Sequence, residues 1–225
     1  MAPGCVLSVN VGLPREFEYA GRLVRSGIWK APVAGRIAAR GVNLAGDDQA
    51  DRAAHGGPDK AVYAYAVEDT RWWESEIGRP FEHGQFGENL TVEGVDVNGA
   101  LIGERWKIGS VLLEAAEPRI PCWRLGVRMG DAQFVKRFTD AMRPGAYLRI
   151  VAEGDVGAGD EVRVVEKPQT DVTIRDVFRI YNRDRRDAAR LLGVPGLSEA
   201  WKRWARDFLE KARDRPTEST NPGCC

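Results

Sequence analysis

Glycine and proline cut the first 170 residues into short segments, and the pieces between them read as strands. Residues 6–11 alternate in part between apolar and polar side chains. Arg105-Trp106-Lys107-Ile108 and Val111-Leu112-Leu113-Glu114 flank Gly109-Ser110, which fits a two-residue hairpin with glycine at its first central position. Residues 146–151 and 161–165 are further strand candidates. Between them, Glu153-Gly154-Asp155 and Ala158-Gly159-Asp160 supply turn signals at the spacing of a barrel. Two short helices are expected to interrupt the strands, one over Val67–Ile77 and one over 131–142. In the second, Phe134, Phe138 and Met142 recur at helical spacing. The fold class is therefore mainly β: a barrel with inserted short helices.

After Pro168 the period changes. Ile174, Val177, Phe178 and Tyr181 mark a helix that opens on a Thr173…Asp176 capping box. A short helix over 184–192 ends at Gly193. A third carries the stripe Trp201, Trp204, Ala205, Phe208, Leu209 and Ala212, with Ser198 as its N-cap, and the stripe is read as core. Three such helices bury little area alone, so they should pack together and against the barrel. The expected organisation is a barrel domain at 1–168, a small three-helix domain at 169–213 and a disordered tail at 214–225.

The 225 residues carry zero formal net charge, unevenly spread. Within 119–149, seven basic residues (Arg119, Arg124, Arg128, Lys136, Arg137, Arg143 and Arg149) stand against only Asp131 and Asp140. This basic island in an acidic region suggests a local anion site or a solvated helix face, and no nucleic-acid partner. No apolar run has the length of a membrane span, and Met1-Ala2-Pro3-Gly4 does not begin a signal peptide, so no membrane association and a cytoplasmic location are expected. Cysteines stand at 5, 122, 224 and 225 without a Cys-x-x-Cys pair, and His55 and His83 are the two histidines, which makes a structural zinc site improbable. Cys224-Cys225 resembles a prenylation signal but is read as part of a disordered terminus.

Three segments can carry chemistry. Cys122 lies in Glu117-Pro118-Arg119-Ile120-Pro121-Cys122-Trp123-Arg124, where two prolines stiffen a loop and arginines at −3 and +2 favour a thiolate. Such a thiolate suits a soft metal ligand or a nucleophile; the alternative is an inert buried thiol. Ala54-His55-Gly56-Gly57-Pro58-Asp59-Lys60 is a glycine turn whose amides and Lys60 can meet an anion, although it lacks the Gly-Lys-Ser/Thr of a Walker loop. In Phe86-Gly87-Glu88-Asn89-Leu90, Asn89 either holds a polar ring edge or caps a turn. Hydrolase elbow, zincin and dinucleotide fingerprints are missing from the sequence.

Gly46-Asp47-Asp48-Gln49-Ala50-Asp51, His55-Gly56-Gly57-Pro58-Asp59-Lys60-Ala61-Val62, Phe86-Gly87-Glu88-Asn89-Leu90 and Pro118-Arg119-x-Pro121-Cys122 together resemble the signature of the MOSC domain. That is the C-terminal domain of molybdenum-cofactor sulfurases. The likeness extends to bacterial stand-alone proteins of the 6-hydroxylaminopurine-resistance type with a C-terminal three-helix domain. It spans residues 4–213 approximately. The resemblance implies a MOSC-type β-barrel and a molybdenum-pterin cofactor (molybdopterin), with Cys122 as the protein ligand to the metal. It implies that Lys60, Arg119, Arg143 and Arg149 hold the cofactor phosphate and that Asn89 contributes to cofactor binding. The sulfurase's pyridoxal-phosphate domain is not part of this chain.

By the same resemblance, the expected activity is reduction of N-hydroxylated substrates such as hydroxylaminopurines, amidoximes and hydroxylamines. His55 would be the proton source. An external redox protein would donate electrons, because no flavin, haem or iron–sulfur motif is present in the sequence; a homodimer stays open. Two other readings remain: sulfur transfer through a Cys122 persulfide, and a non-enzymatic cofactor carrier docking partners through 171–213.

Overall fold

The computed structural model describes residues 3–50 and 56–214. Thirteen strands run in order as β1 (Gly4–Val11), β2 (Arg15–Tyr19), β3 (Arg22–Ser26), β4 (Ala31–Pro32), β5 (Arg36–Arg40), β6 (Asn43–Leu44), β7 (Val62–Ala66), β8 (Leu90–Glu93), β9 (Arg105–Ile108), β10 (Val111–Pro118), β11 (Ala146–Ala152), β12 (Gly154–Gly157) and β13 (Glu161–Glu166). The helices are α1 (Val67–Ile77), α2 (Trp123–Met129), α3 (Phe134–Ala141), α4 (Ile174–Asn182) and α5 (Glu199–Arg213), with 3-10 turns at Pro58–Lys60 and Arg185–Leu191.

The order β13-β9-β10-β11-β7-β8-β1 closes on itself because Gly4 of β1 pairs with Val162 of β13, while β4 extends the free side of β1. Closure leaves no open edge among these strands. Neighbours pair antiparallel except β7 and β8, which run parallel and are joined through α1. The Gly109-Ser110 hairpin forms as its sequence predicts, with Val111 opposite Ile108 and Gly109 at φ +54°.

β7 explains how the barrel and its helices share one strand. Val62, Ala64 and Ala66 point into the barrel beside Leu90, Val92, Trp106 and Leu148. Tyr63 and Tyr65 point the other way, into an aromatic cluster with Trp73 of α1, Phe86, and Phe134 and Phe138 of α3. Trp73 Nε1 donates to the Tyr65 hydroxyl at 2.9 Å, so both buried polar groups are satisfied. A strand buried on both faces shows no apolar–polar alternation, which is why β7 is invisible to period counting.

Several expectations change in detail. Glu153-Gly154-Asp155 is not a turn: Gly154 begins β12, which pairs with β5, and a Cβ there would lie 2.3 Å from the Ser110 carbonyl carbon. The second inserted helix is shorter, Phe134–Ala141, and stops where Met142 turns left-handed at φ +57°. The stiff loop after β10 ends at Cys122, which is the N-cap of the unexpected helix α2. The 184–192 helix is a 3-10 turn. Ser198 occupies the N-cap position of α5, but its hydroxyl donates to Glu117 Oε2 at 2.8 Å instead of capping.

The C-terminal helices do pack on the barrel: Val172, Ile174, Val177, Leu191, Trp201 and Ala205 join the barrel interior in one apolar cluster. No helix among the described residues is long and apolar enough to cross a membrane. His55 and the tail from residue 215, including Cys224 and Cys225, lie outside the described residues.

The capping box at α4 is complete, with Asp176 N donating to Thr173 Oγ1 and Thr173 N to Asp176 Oδ2, both at 3.1 Å. Thr173→Ala should lower stability by about 1 kcal/mol. The check is a urea midpoint that falls with an unchanged slope.

Candidate functional site

The start of β8, the exit of β10 and the start of β11 meet at one mouth of the barrel, and a pocket opens there. β7 begins at the same place, immediately after the Pro58–Lys60 turn. Cys122 and Arg119 enter the pocket from the loop after β10, Lys60 from the 3-10 turn, and Arg124 from the first turn of α2. Pro118, the last residue of β10, pairs with Ala146, and Pro118 and Pro121 are both buried, so the loop carrying Cys122 is fixed at both ends.

Arg119 is buried, which is costly for a guanidinium unless its environment answers the charge. It donates to the Phe86 carbonyl and lies over the Tyr63 ring at 5.1 Å. Burial opposes its charge, but the neighbouring Tyr63, Tyr147 and Cys122 more than compensate and raise its pKa. The same burial drives the Tyr63 and Tyr147 hydroxyls above the usual phenol range, so both stay protonated donors beside the pocket. Arg124 stacks on Trp123 at 4.7 Å.

Lys30 and Asp47 form the opposite wall, and the sequence motifs assign Lys30 no role. The ammonium is paired to both carboxylate oxygens, with side chains only 9% and 2% exposed. Asp47 also accepts from Gly12 N at 3.0 Å and from Asn89 Nδ2 at 2.8 Å. Burial lowers the Lys30 pKa, against the pull of Asp47. Asn89 donates in addition to Asn10 O at 3.2 Å and accepts from Tyr63 N at 3.0 Å. Its amide is thus committed to holding β1, β7 and Asp47 in place. Gln49 differs: its Nε2 donates to Lys60 O at 2.9 Å, while its buried Oε1 has no hydrogen-bond partner. An unanswered acceptor inside a pocket fits a donor on a bound molecule.

The structure separates the expected anion set. Lys60 and Arg119 line the pocket, with Lys60 Nζ 3.5 Å from Glu117 Oε1. Arg143 and Arg149 do not line it. Arg143 pairs with buried Asp69 and stacks on Trp72 at 4.6 Å. Arg149 gives its donors to Asp59 at 2.9 Å, Glu114 at 2.5 Å and the Gly196 carbonyl at 2.9 Å. Arg149 therefore braces the turn that presents Lys60. Within the charge island counted along the chain, Arg143 and Arg149 are thus answered by carboxylates from other elements, and Lys136 and Arg137 by the island's own Asp140 and Asp131. Among the described residues no cluster of three His, Cys, Asp or Glu side chains could hold a metal alone.

A second cavity adjoins the first and shares Lys60, Cys122 and Tyr147 with it. Its far wall comes from the C-terminal helices: Tyr181, Ala200, Trp201 and Trp204. The aromatic stripe of α5 is thus core on one side and cavity wall on the other.

Two measurements test the electrostatics. Lys30→Met strands a buried carboxylate and should cost about 3–5 kcal/mol, whereas Lys30→Met with Asp47→Asn should recover part of it in a double-mutant cycle. Glu117 is raised above 4.5 by burial, opposed by Lys60 and Ser198. Between the unfolded and the raised folded values the native state holds the extra proton, so this group's contribution to stability falls as pH rises through that window. Glu117→Gln should gain stability relative to the parent over the same window in urea titrations.

The comparisons agree with this architecture. The MOSC domain family matches residues 51–163, and the YiiM-like 3-alpha helix domain matches residues 172–212. YflK of Bacillus subtilis is 33% identical over 213 residues, covering 93% of this chain and 95% of YflK. A Gibberella moniliformis protein named Reductase is 28% identical over 218 residues, covering 95% of this chain but 37% of its own length. The crystal structure of YiiM from Geobacillus stearothermophilus shares 29% identity and a TM-score of 0.76, covering 92% of this chain and 100% of that one. The first match takes in β7 to β12 and the start of β13, and the second takes in α4 and nearly all of α5, so the chain belongs to the MOSC domain family and carries a YiiM-like helical domain.

Proposed function

We propose that the chain is a molybdenum-cofactor-dependent reductase of N-hydroxylated compounds that takes electrons from a separate redox protein. The observation that carries this reading is Cys122, fixed on a proline-braced loop at the mouth of a cation-bearing pocket. The MOSC domain is a molybdenum-cofactor-binding type, and a relative carries the name Reductase. When bound, the cofactor supplies the two-electron redox chemistry. In the overall reaction the N–O bond breaks, two electrons and two protons are taken up, and the hydroxyl oxygen leaves as water.

The residues present fit such a group. Among the described residues no group of three or more His, Cys, Asp or Glu side chains forms, and a soft cysteine sulfur suits a metal whose other donors come from the cofactor. Cys122 is the proposed metal ligand. Lys60, Arg119 and Arg124 provide positive charge for the cofactor phosphate, and Gln49 Oε1 an acceptor for a pterin N–H. Asn89 and Arg149 act one step back, by holding Asp47 and the Lys60 turn. His55 keeps the proposed role of proton source from its place in the sequence beside Lys60.

The test loads the protein with cofactor in a competent host, then adds an artificial two-electron reductant and an amidoxime or hydroxylaminopurine. Bound molybdenum and conversion to the amidine or amine are the expected results. Cys122→Ala should lose metal or turnover while its thermal midpoint stays unchanged. Full activity in Cys122→Ala would overturn the ligand assignment. Bound molybdenum without turnover, together with a persulfide on Cys122 by mass spectrometry, would favour sulfur transfer instead.

A further inference from the structure

Apart from Lys60 and Cys122, which it shares with the first pocket, the residues lining the second cavity have no part in holding the cofactor as assigned above. Its volume is about 390 Å³, whereas an apolar cavity of about 150 Å³ already admits a benzene ring. One wall is built from three aromatic rings of the C-terminal helices. Tyr181 meets Trp201 edge-on at 5.2 Å and 82°, and Trp204 at 5.0 Å and 57°. Trp204 and Tyr181 are only half-buried, so ring surface that could have entered the core faces the cavity instead. The facing wall, Ile120 and Pro121, belongs to the same loop that carries Cys122. At the inner end, the Glu117 carboxylate and the Lys60 ammonium stand 3.5 Å apart. The cavity is therefore apolar along its sides, polar at one end and continuous with the thiol.

We propose that this cavity binds the ring portion of the substrate, and that Tyr181, Trp201 and Trp204 make the protein selective for flat aromatic N-hydroxylated compounds over small aliphatic ones. Aromatic walls meeting at steep angles offer both stacking and edge contacts to a flat ring, whereas a small aliphatic group leaves most of the volume unfilled. Glu117, with Lys60 beside it, can accept a hydrogen bond from a donor on the ring edge or its amidine nitrogen. The C-terminal helical domain acquires a role beyond packing: it completes the substrate site. The choice of an N-hydroxylated compound rests on the reductase reading, while the ring site rests on the cavity alone.

The test separates the two. Calorimetry on cofactor-loaded protein without reductant measures binding of benzamidoxime and acetamidoxime in the absence of turnover. The parent protein should bind benzamidoxime at least about tenfold more tightly. Trp204→Ala should abolish that preference and leave acetamidoxime unaffected. Ala200 lies exposed on the cavity rim, so Ala200→Trp should fill the space without disturbing the core and block benzamidoxime. With reductant present, both substitutions should raise KM for benzamidoxime and leave kcat within about twofold. Equal binding of the two compounds by the parent protein, or a preference that survives both substitutions, would overturn the ring site. Absence of turnover with the ring preference intact would overturn the reductase reading and leave the ring site standing.

Discussion

Asp47 is a buried carboxylate at the barrel mouth, and three separate stretches of chain hydrogen-bond to it. Lys30 arrives from the loop after β3, Gly12 from the end of β1, and Asn89 from the entry to β8; Asp47 itself follows β6. A charge pair this enclosed is held only because every partner is present, since removal of any one leaves a desolvated charge unanswered. The network thereby fixes the loops that wall the pocket in a single arrangement. The loop bearing Cys122 meets this framework through Arg119, which reaches across to the Phe86 carbonyl just ahead of Asn89.

The scaffold beneath has the same economy. Because β7 is buried on both faces, its small inward residues let the barrel close tightly while its outward tyrosines anchor α1 and α3. Tyr63 belongs to both structure and site: its hydroxyl donates to the Pro144 carbonyl at 2.7 Å, its amide donates to Asn89, and its ring lies under Arg119. Side chains placed around Cys122 require this sort of backing, since loops alone hold them loosely.

The C-terminal helices extend the argument from stability to chemistry. Ser198 and Glu117 join α5 to β10 through a buried hydrogen bond, and Arg149 joins the loop before α5 to the turn that presents Lys60. Both ties end at residues next to the site. The position of the aromatic wall relative to Cys122 is therefore set by polar contacts, while the shared apolar cluster supplies most of the adhesion.

Local signals in the sequence settled a good deal. Proline spacing announced the stiff Cys122 loop, Gly109-Ser110 its hairpin, Thr173 and Asp176 their capping box, and the 3.6-residue stripe the helix at the C-terminus, because each is governed by neighbours within a few residues. Motif likeness brought Lys60, Arg119 and Cys122 together before any geometry was known. What the tertiary structure alone decided is where long-range partners meet. Lys30 sits in Ile28-Trp29-Lys30, which carries no motif, and becomes a pocket residue only because Asp47 is folded against it. The same likeness, supported by the charge count, grouped Arg143 and Arg149 with Lys60 and Arg119 as anion binders, yet Asp69, Asp59 and Glu114 reach them from distant segments. Trp201 and Trp204 form an ordinary core stripe in one dimension, and their part in a cavity follows from docking onto β10 and its loop. Periodicity reports which face of an element is apolar, but only packing determines whether that face meets a filled core or an open cavity.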